Sequence, residues 1–179
     1  MEQRQGNIII HASGGTAGQG ANTYKVTLPS TWIKELGIDD THRKVELSFD
    51  GNAITITKSL TMDEFISAKR KKGHSLVKLS YFDGERLCTE IIADKTERTL
   101  CIQNHTHRTI KTAFGNNTMP TWEQLQFFLE ERCVPRARAG LREYLDTIGV
   151  EEYDPIEIIQ KTEGRMAEDN QWIKMEALA

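Results

Sequence analysis

The chain has 179 residues, 27% of them charged and 38% hydrophobic, with a net charge of −3. That composition suits one or two small folded domains and excludes a disordered or fibrous chain. It holds no apolar run near the roughly 20 residues that cross a bilayer, which argues against a membrane partner.

The start, MEQRQGNIII, has neither a basic lead nor a long apolar core, so no secretory signal is expected. Cys88, Cys101 and Cys133 are scattered, without CxxC spacing. Neither a disulfide framework nor a zinc site is indicated, and a cytoplasmic location is expected. The charge is unevenly spread: residues 1–58 are net zero, 59–113 net +3 and 114–179 net −6. Nucleic acid repels the last of these, which suits a basic protein partner better.

Asn7–Ala12, NIIIHA, reads as a short strand, and Ser13–Ala21, SGGTAGQGA, as a glycine-rich connection. Clustered backbone N–H groups bind anions, but no Gly-Lys-Ser/Thr ends this loop and a strand follows it, so it is not a P-loop. From Asn22 to Lys58 the pattern is strand, turn, short helix, hairpin. Tyr24, Val26 and Leu28 alternate with Lys25 and Thr27, and Pro29 closes the strand. Ser30 or Thr31 is expected to cap a helix whose apolar stripe is Trp32, Ile33 and Leu36, stopped by Gly37. Val45, Leu47 and Phe49 then alternate with polar residues, Asp50-Gly51-Asn52 turns the chain, and Ile54 and Ile56 return. Fewer than about 40 residues seldom bury enough apolar surface to fold alone. A well-specified unit this small predicts an intertwined homodimer in which two chains share one core.

YKVTLPSTWIKELGI followed by VELSFDGNAITITK resembles the AbrB/MazE/SpoVT superfamily over roughly residues 20–59. The resemblance implies a swapped-hairpin β-barrel dimer that binds double-stranded DNA. It assigns phosphate and groove contacts to Lys25 and Lys34, with Arg43 ahead of the hairpin. The glycine loop would then lie along the DNA backbone, with Ser13, Thr16 and Thr23 offering hydroxyls. The arginine pair frequent in that family's helix is replaced here by Ile33-Lys34.

Thr61 and Glu64 form a capping box that opens the helix MDEFISAKRKKG, stopped by Gly73. Its closing run Lys69–Lys72 reads first as a solvated basic helix end and second as a DNA patch. Four strands are expected next, Leu76–Phe82, Leu87–Ala93, Thr99–Gln103 and Thr109–Ala113, as an antiparallel meander. His105 and His107 fall in a turn, solvent-exposed and without acidic or cysteine partners at ligand spacing, so no metal is assigned. Cys88 and Cys101 read as small core residues.

Thr121 and Gln124 make a second capping box, and Trp122, Leu125, Phe128 and Leu129 repeat at helical spacing. A second helix follows Pro135, with Leu141, Tyr144, Leu145 and Ile148 inward and Gly149 as its stop. Asp154-Pro155-Ile156-Glu157 opens a third, carrying Ile158 and Ile159 and ending at Gly164. These three helices are expected as a small bundle, its arginines in intramolecular ion pairs. The tail Arg165–Ala179 is expected as a short mixed segment anchored by Trp172 and Ile173. In GRMAEDNQWI, Arg165 and Trp172 suit a protein-docking element. The run from Arg132 to Ile173 resembles the C-terminal region joined to AbrB-like proteins in toxin–antitoxin or mobile-element loci.

The fold class expected is therefore α+β: a swapped-hairpin dimerisation domain over 1–59, a short helix and meander over 60–113, and an acidic helical partner-binding region over 114–179. The expected function is a DNA-binding regulator, the antitoxin and autorepressor of a toxin–antitoxin locus. A mobile-element inhibitor, or a stand-alone regulator with a sensing or oligomerising C-terminal part, is the alternative. No Ser/His/Asp or Cys/His set falls on matching elements, so no catalytic residue and no cofactor is assigned.

Overall fold

The computed structural model describes residues 2–12 and 21–178 and is mixed α+β, with antiparallel sheets. The chain divides into two compact units, Met1–Ser59 and Leu60–Ala179.

In the first unit, β1 (Ile8–Ala12) pairs antiparallel with β2 (Asn22–Val26), and β3 (Val45–Phe49) with β4 (Ile54–Lys58). The second hairpin turns where Gly51 adopts φ +94°, a conformation costly to side chains with a Cβ. Asp50 Oδ1 accepts from the amides of Asn52 and Ala53 at 2.9 and 2.8 Å, closing that turn. Between the hairpins lies α1 (Ser30–Glu35). Neither Ser30 nor Thr31 caps it. Pro29 takes the cap position without a side-chain bond, and its carbonyl accepts from the Ile33 amide at 3.2 Å. The proline's fixed φ supplies the extended entry that a capping hydroxyl would otherwise stabilise.

The second unit is built on a four-stranded antiparallel sheet. Its strands are β5 (Leu76–Asp83), β6 (Arg86–Asp94), β7 (Thr99–Asn104) and β8 (Gln171–Leu178), in the order β7-β6-β5-β8. Two expectations are corrected here. Thr109–Ala113 is not a fourth meander strand: Thr109–Lys111 is a single 3-10 turn. The Thr112 hydroxyl donates to the Thr109 and Gly115 carbonyls, and the Ala113 amide is taken by Thr89 Oγ1, so this backbone is satisfied without a ladder. The tail is not an irregular anchor but the edge strand β8, which runs antiparallel to β5 with Ile173 opposite Tyr81. Its alternation is plain in the residues, with Ile173, Met175 and Ala177 on one face and Lys174 and Glu176 on the other.

The helices α2 (Met62–Lys71), α3 (Trp122–Glu130), α4 (Leu141–Ile148) and α5 (Pro155–Thr162) complete this unit. Both expected capping boxes, Thr61 with Glu64 and Thr121 with Gln124, are formed. The bundle expected over 114–179 is not a layer of its own. Leu125 and Leu129 of α3 and Ile159 of α5 join Leu79, Tyr81, Ile91 and Ile173 of the sheet in one core. A satellite cluster of Leu145, Val150 and Ile158 seats α4 on α5. Burying several branched side chains fully, at about 1.5–3 kcal/mol each, gives this unit a core of its own.

Candidate nucleic-acid interface

The two units differ sharply in burial. None of the described residues of the first unit is buried. Its side chains are nevertheless sorted by face, because cross-strand partners share a face and neighbours along a strand do not. In the first hairpin, Ile8 opposes Val26 and Ile10 opposes Tyr24, all four at least 50% exposed. In the second, Leu47 opposes Ile56 and Phe49 opposes Ile54. Phe49 is 70% exposed and Ile54 71%. The reverse faces are more polar: Lys25 lies opposite Ile9, itself 45% exposed, and Thr23 opposite His11 on one hairpin, with Glu46 opposite Thr57 and Ser48 opposite Thr55 on the other.

Lys25 and Thr23 therefore share one hairpin face, directed away from the apolar one, together with His11, which the sequence reading did not single out. Lys34 is exposed on α1. Neither Lys25 nor Lys34 has a carboxylate partner among the described residues. Arg43 is committed locally, its Nε donating to the Asp40 carbonyl at 2.9 Å and Nη2 lying 3.6 Å from the Asp40 carboxylate. The loop carrying it is pinned by Asp39, which accepts from the Thr41 hydroxyl and from the Thr41 and His42 amides. Those bonds, the Thr41 hydroxyl foremost, hold the Asp39 carboxyl well below the usual range. Ser13 and Thr16 lie outside the described residues.

A contact missed in the sequence ties the N-terminal arm to α1. The Trp32 indole N–H donates to Glu2 Oε2 at 2.6 Å, and the Arg4 guanidinium lies 6.0 Å from the Trp32 ring centroid. No periodicity marks this pairing across about 30 residues of sequence.

In the second unit the basic run divides. Lys69 is bonded to Asp94 at 2.9 Å and to Glu97, and Lys72 lies 3.5 Å from Glu97. His74 completes the group, with Nδ1 2.8 Å from Asp94 and Nε2 3.6 Å from Glu97. Asp94 is fully buried. Burial pushes its carboxyl up, but the bonds from Lys69, His74 and the Glu97 and Thr96 amides outweigh it and hold the group well below the usual range. The potential ligand atoms of His74, Asp94 and Glu97 lie within 4.8 Å of one another, and the two carboxylates hold the Lys69 ammonium. Arg70 and Lys71 instead line an open groove of about 540 Å³ with Lys78 and Leu178. His105 is exposed, as expected, but it has an acidic partner. Its Nε2 lies 2.7 Å from Glu90, which also pairs with Lys78 at 2.5 Å.

Arg165 and Trp172, expected to dock a partner, meet each other. The Arg165 guanidinium sits 4.6 Å from the Trp172 ring centroid. Trp172 stacks on Phe82 at 4.4 Å and donates its indole N–H to the Gly84 carbonyl at 2.7 Å. The loop between them is held by Arg132. Its guanidinium bonds both Asp169 oxygens at 3.0 Å, the Gly164 carbonyl at 2.9 Å and the Gln171 carbonyl at 2.8 Å. That pairing lowers the Asp169 carboxyl, while burial pushes the Tyr81 hydroxyl beside it up to about 12. Arg132 thus serves the fold, and Trp172 and Phe82 are left half-buried beside the exposed Arg165.

No helix among the described residues is long and apolar enough to cross a membrane. No protein-family model, curated protein or solved structure matches the chain.

Proposed function

We propose that this chain is a homodimeric, sequence-specific DNA-binding regulator. In this reading the first unit forms a swapped-hairpin barrel, and the second carries a protein-docking surface. The observation that carries it is the sorting of the two hairpins. Each presents a row of exposed apolar side chains that water disfavours. Each turns polar residues to the opposite side, Lys25 and Thr23 among them. Two chains that close the apolar rows upon one another leave Lys25 and Lys34 on the outside, where a two-fold duplex site can meet both copies. The similarity of residues 20–59 to the AbrB/MazE/SpoVT pattern supports the same arrangement.

The more specific reading is an antitoxin and autorepressor. The acidic 114–179 segment would neutralise a basic toxin, with Arg165 and Trp172 at the contact. A tryptophan braced by an arginine and a stacked phenylalanine is the kind of preordered anchor that dominates interfaces.

The test uses a duplex selected from a random-sequence pool by the wild-type protein. Lys25→Ala should weaken binding to it at least tenfold while the dimer persists. Undiminished binding would remove Lys25 from the contact set, and failure of the wild-type protein to enrich any duplex would refute the DNA-binding reading.

A further inference from the structure

The short helix α1 carries one outward cation of its own, Lys34. Six residues at about 1.5 Å each make it only about 9 Å long, so little room remains for another. The arm ahead of β1 changes that count. Glu2 is spent on the Trp32 indole N–H, which fixes the arm against the helix. Two residues on, Arg4 lies with its guanidinium over the same ring. Among the described residues Arg4 has no carboxylate partner and is exposed. Its donors are therefore unspent, while its position is restrained by the aromatic face, a contact that lowers the cost of ordering a long side chain.

We propose that Arg4 is a DNA-phosphate contact delivered to α1 by the N-terminal arm, and that Trp32 is its positioning residue. This rests on the DNA-binding reading above. A guanidinium fork suits two oxygens of one phosphate, and no carboxylate among the described residues competes for it. The arm reads no sequence by itself. It adds a cation beside Lys34 and orients the helix on the duplex backbone.

The experiment measures affinity for the selected duplex against salt concentration. One lost phosphate contact lowers the log–log salt slope by about 0.9, and the two-fold dimer loses two, so the slope should fall by about 1.8, which is about 60-fold in affinity at 0.1 M salt. Arg4→Gln should show both effects, and Arg4→Lys, which keeps the charge, should recover most of the slope. Trp32→Phe keeps a smaller aromatic face but removes the indole N–H that holds Glu2, and it should fall between wild type and Arg4→Gln. A change of fold alone would lower affinity without this ordered change in slope. If Arg4→Gln matches wild type in affinity and slope while Lys25→Ala loses binding, the arm contact is refuted and the DNA-binding reading survives. If the wild-type protein enriches no duplex, both fall together.

Discussion

Replacing Phe49 by alanine probes the proposed shared core at its most exposed aromatic. A phenylalanine buries about 150–250 Å² when fully covered. Phe49 is 70% exposed within one chain, so a partner has about 140 Å² of it left to cover. At about 25 cal/mol per Å² that area is worth about 3.5 kcal/mol, of which alanine retains roughly a quarter. The two-fold dimer contains the substitution twice, so dimerisation should weaken by about 5 kcal/mol. That is between three and four decades in the dimer dissociation constant. Energy transfer between two populations of differently labelled chains, mixed over a dilution series, reads that constant directly. The core of the second unit does not include Phe49, so its protection against hydrogen exchange should not change. A dissociation constant shifted less than tenfold would mean that Phe49 faces no partner, and the proposed shared interior would be wrong.

Two further outcomes follow from the second unit. Gly164 sits at φ +58°, and a Cβ there would meet Ile159 Cδ1 at 2.7 Å and Arg132 Cβ at 3.4 Å. Gly164→Ala should therefore cost about 2–4 kcal/mol, combining backbone strain and overpacking, in urea unfolding followed by tryptophan fluorescence. A loss under about 0.5 kcal/mol would show that the contact yields freely. The Asp94 junction makes a pH prediction. The folded state holds this carboxyl below its unfolded value, so its stabilisation is full above the unfolded carboxylate range and is lost as pH falls through the folded value. Asp94→Asn should flatten the acid limb of the second unit's stability curve, and an unchanged acid limb would contradict the assignment.

Local chemistry was legible in the residues, and long-range pairing was not. Thr61 with Glu64 and Thr121 with Gln124 announce their helices because a capping box is closed within four residues. Asp50-Gly51 announces its turn for the same reason. The strand β8 was written in the alternation of Ile173, Met175 and Ala177, but its partner β5 lies about 90 residues away, and no local pattern names it. The 3-10 turn at Thr109–Lys111 looks like a strand in sequence because Thr109, Ile110 and Thr112 favour strands, whereas the hydroxyls of Thr112 and Thr89 satisfy that backbone instead. At the candidate interface, Lys25 and Thr23 fall on one face because strand periodicity is local. The grip of Glu2 and Arg4 on Trp32 joins the arm to a helix far along the chain and leaves no trace in spacing. Lys69 and Lys72 look like a uniform basic run with Arg70 and Lys71 until the fold brings Asp94 and Glu97 to two of the four.

The most direct test is sedimentation of the wild-type protein at micromolar concentration. A species of twice the 20.4 kDa chain mass, with the first unit's hairpin amides protected from exchange, is the expected result. A single-chain species with those amides equally protected would contradict the account, since the hairpins would then be folding without a second copy to cover them.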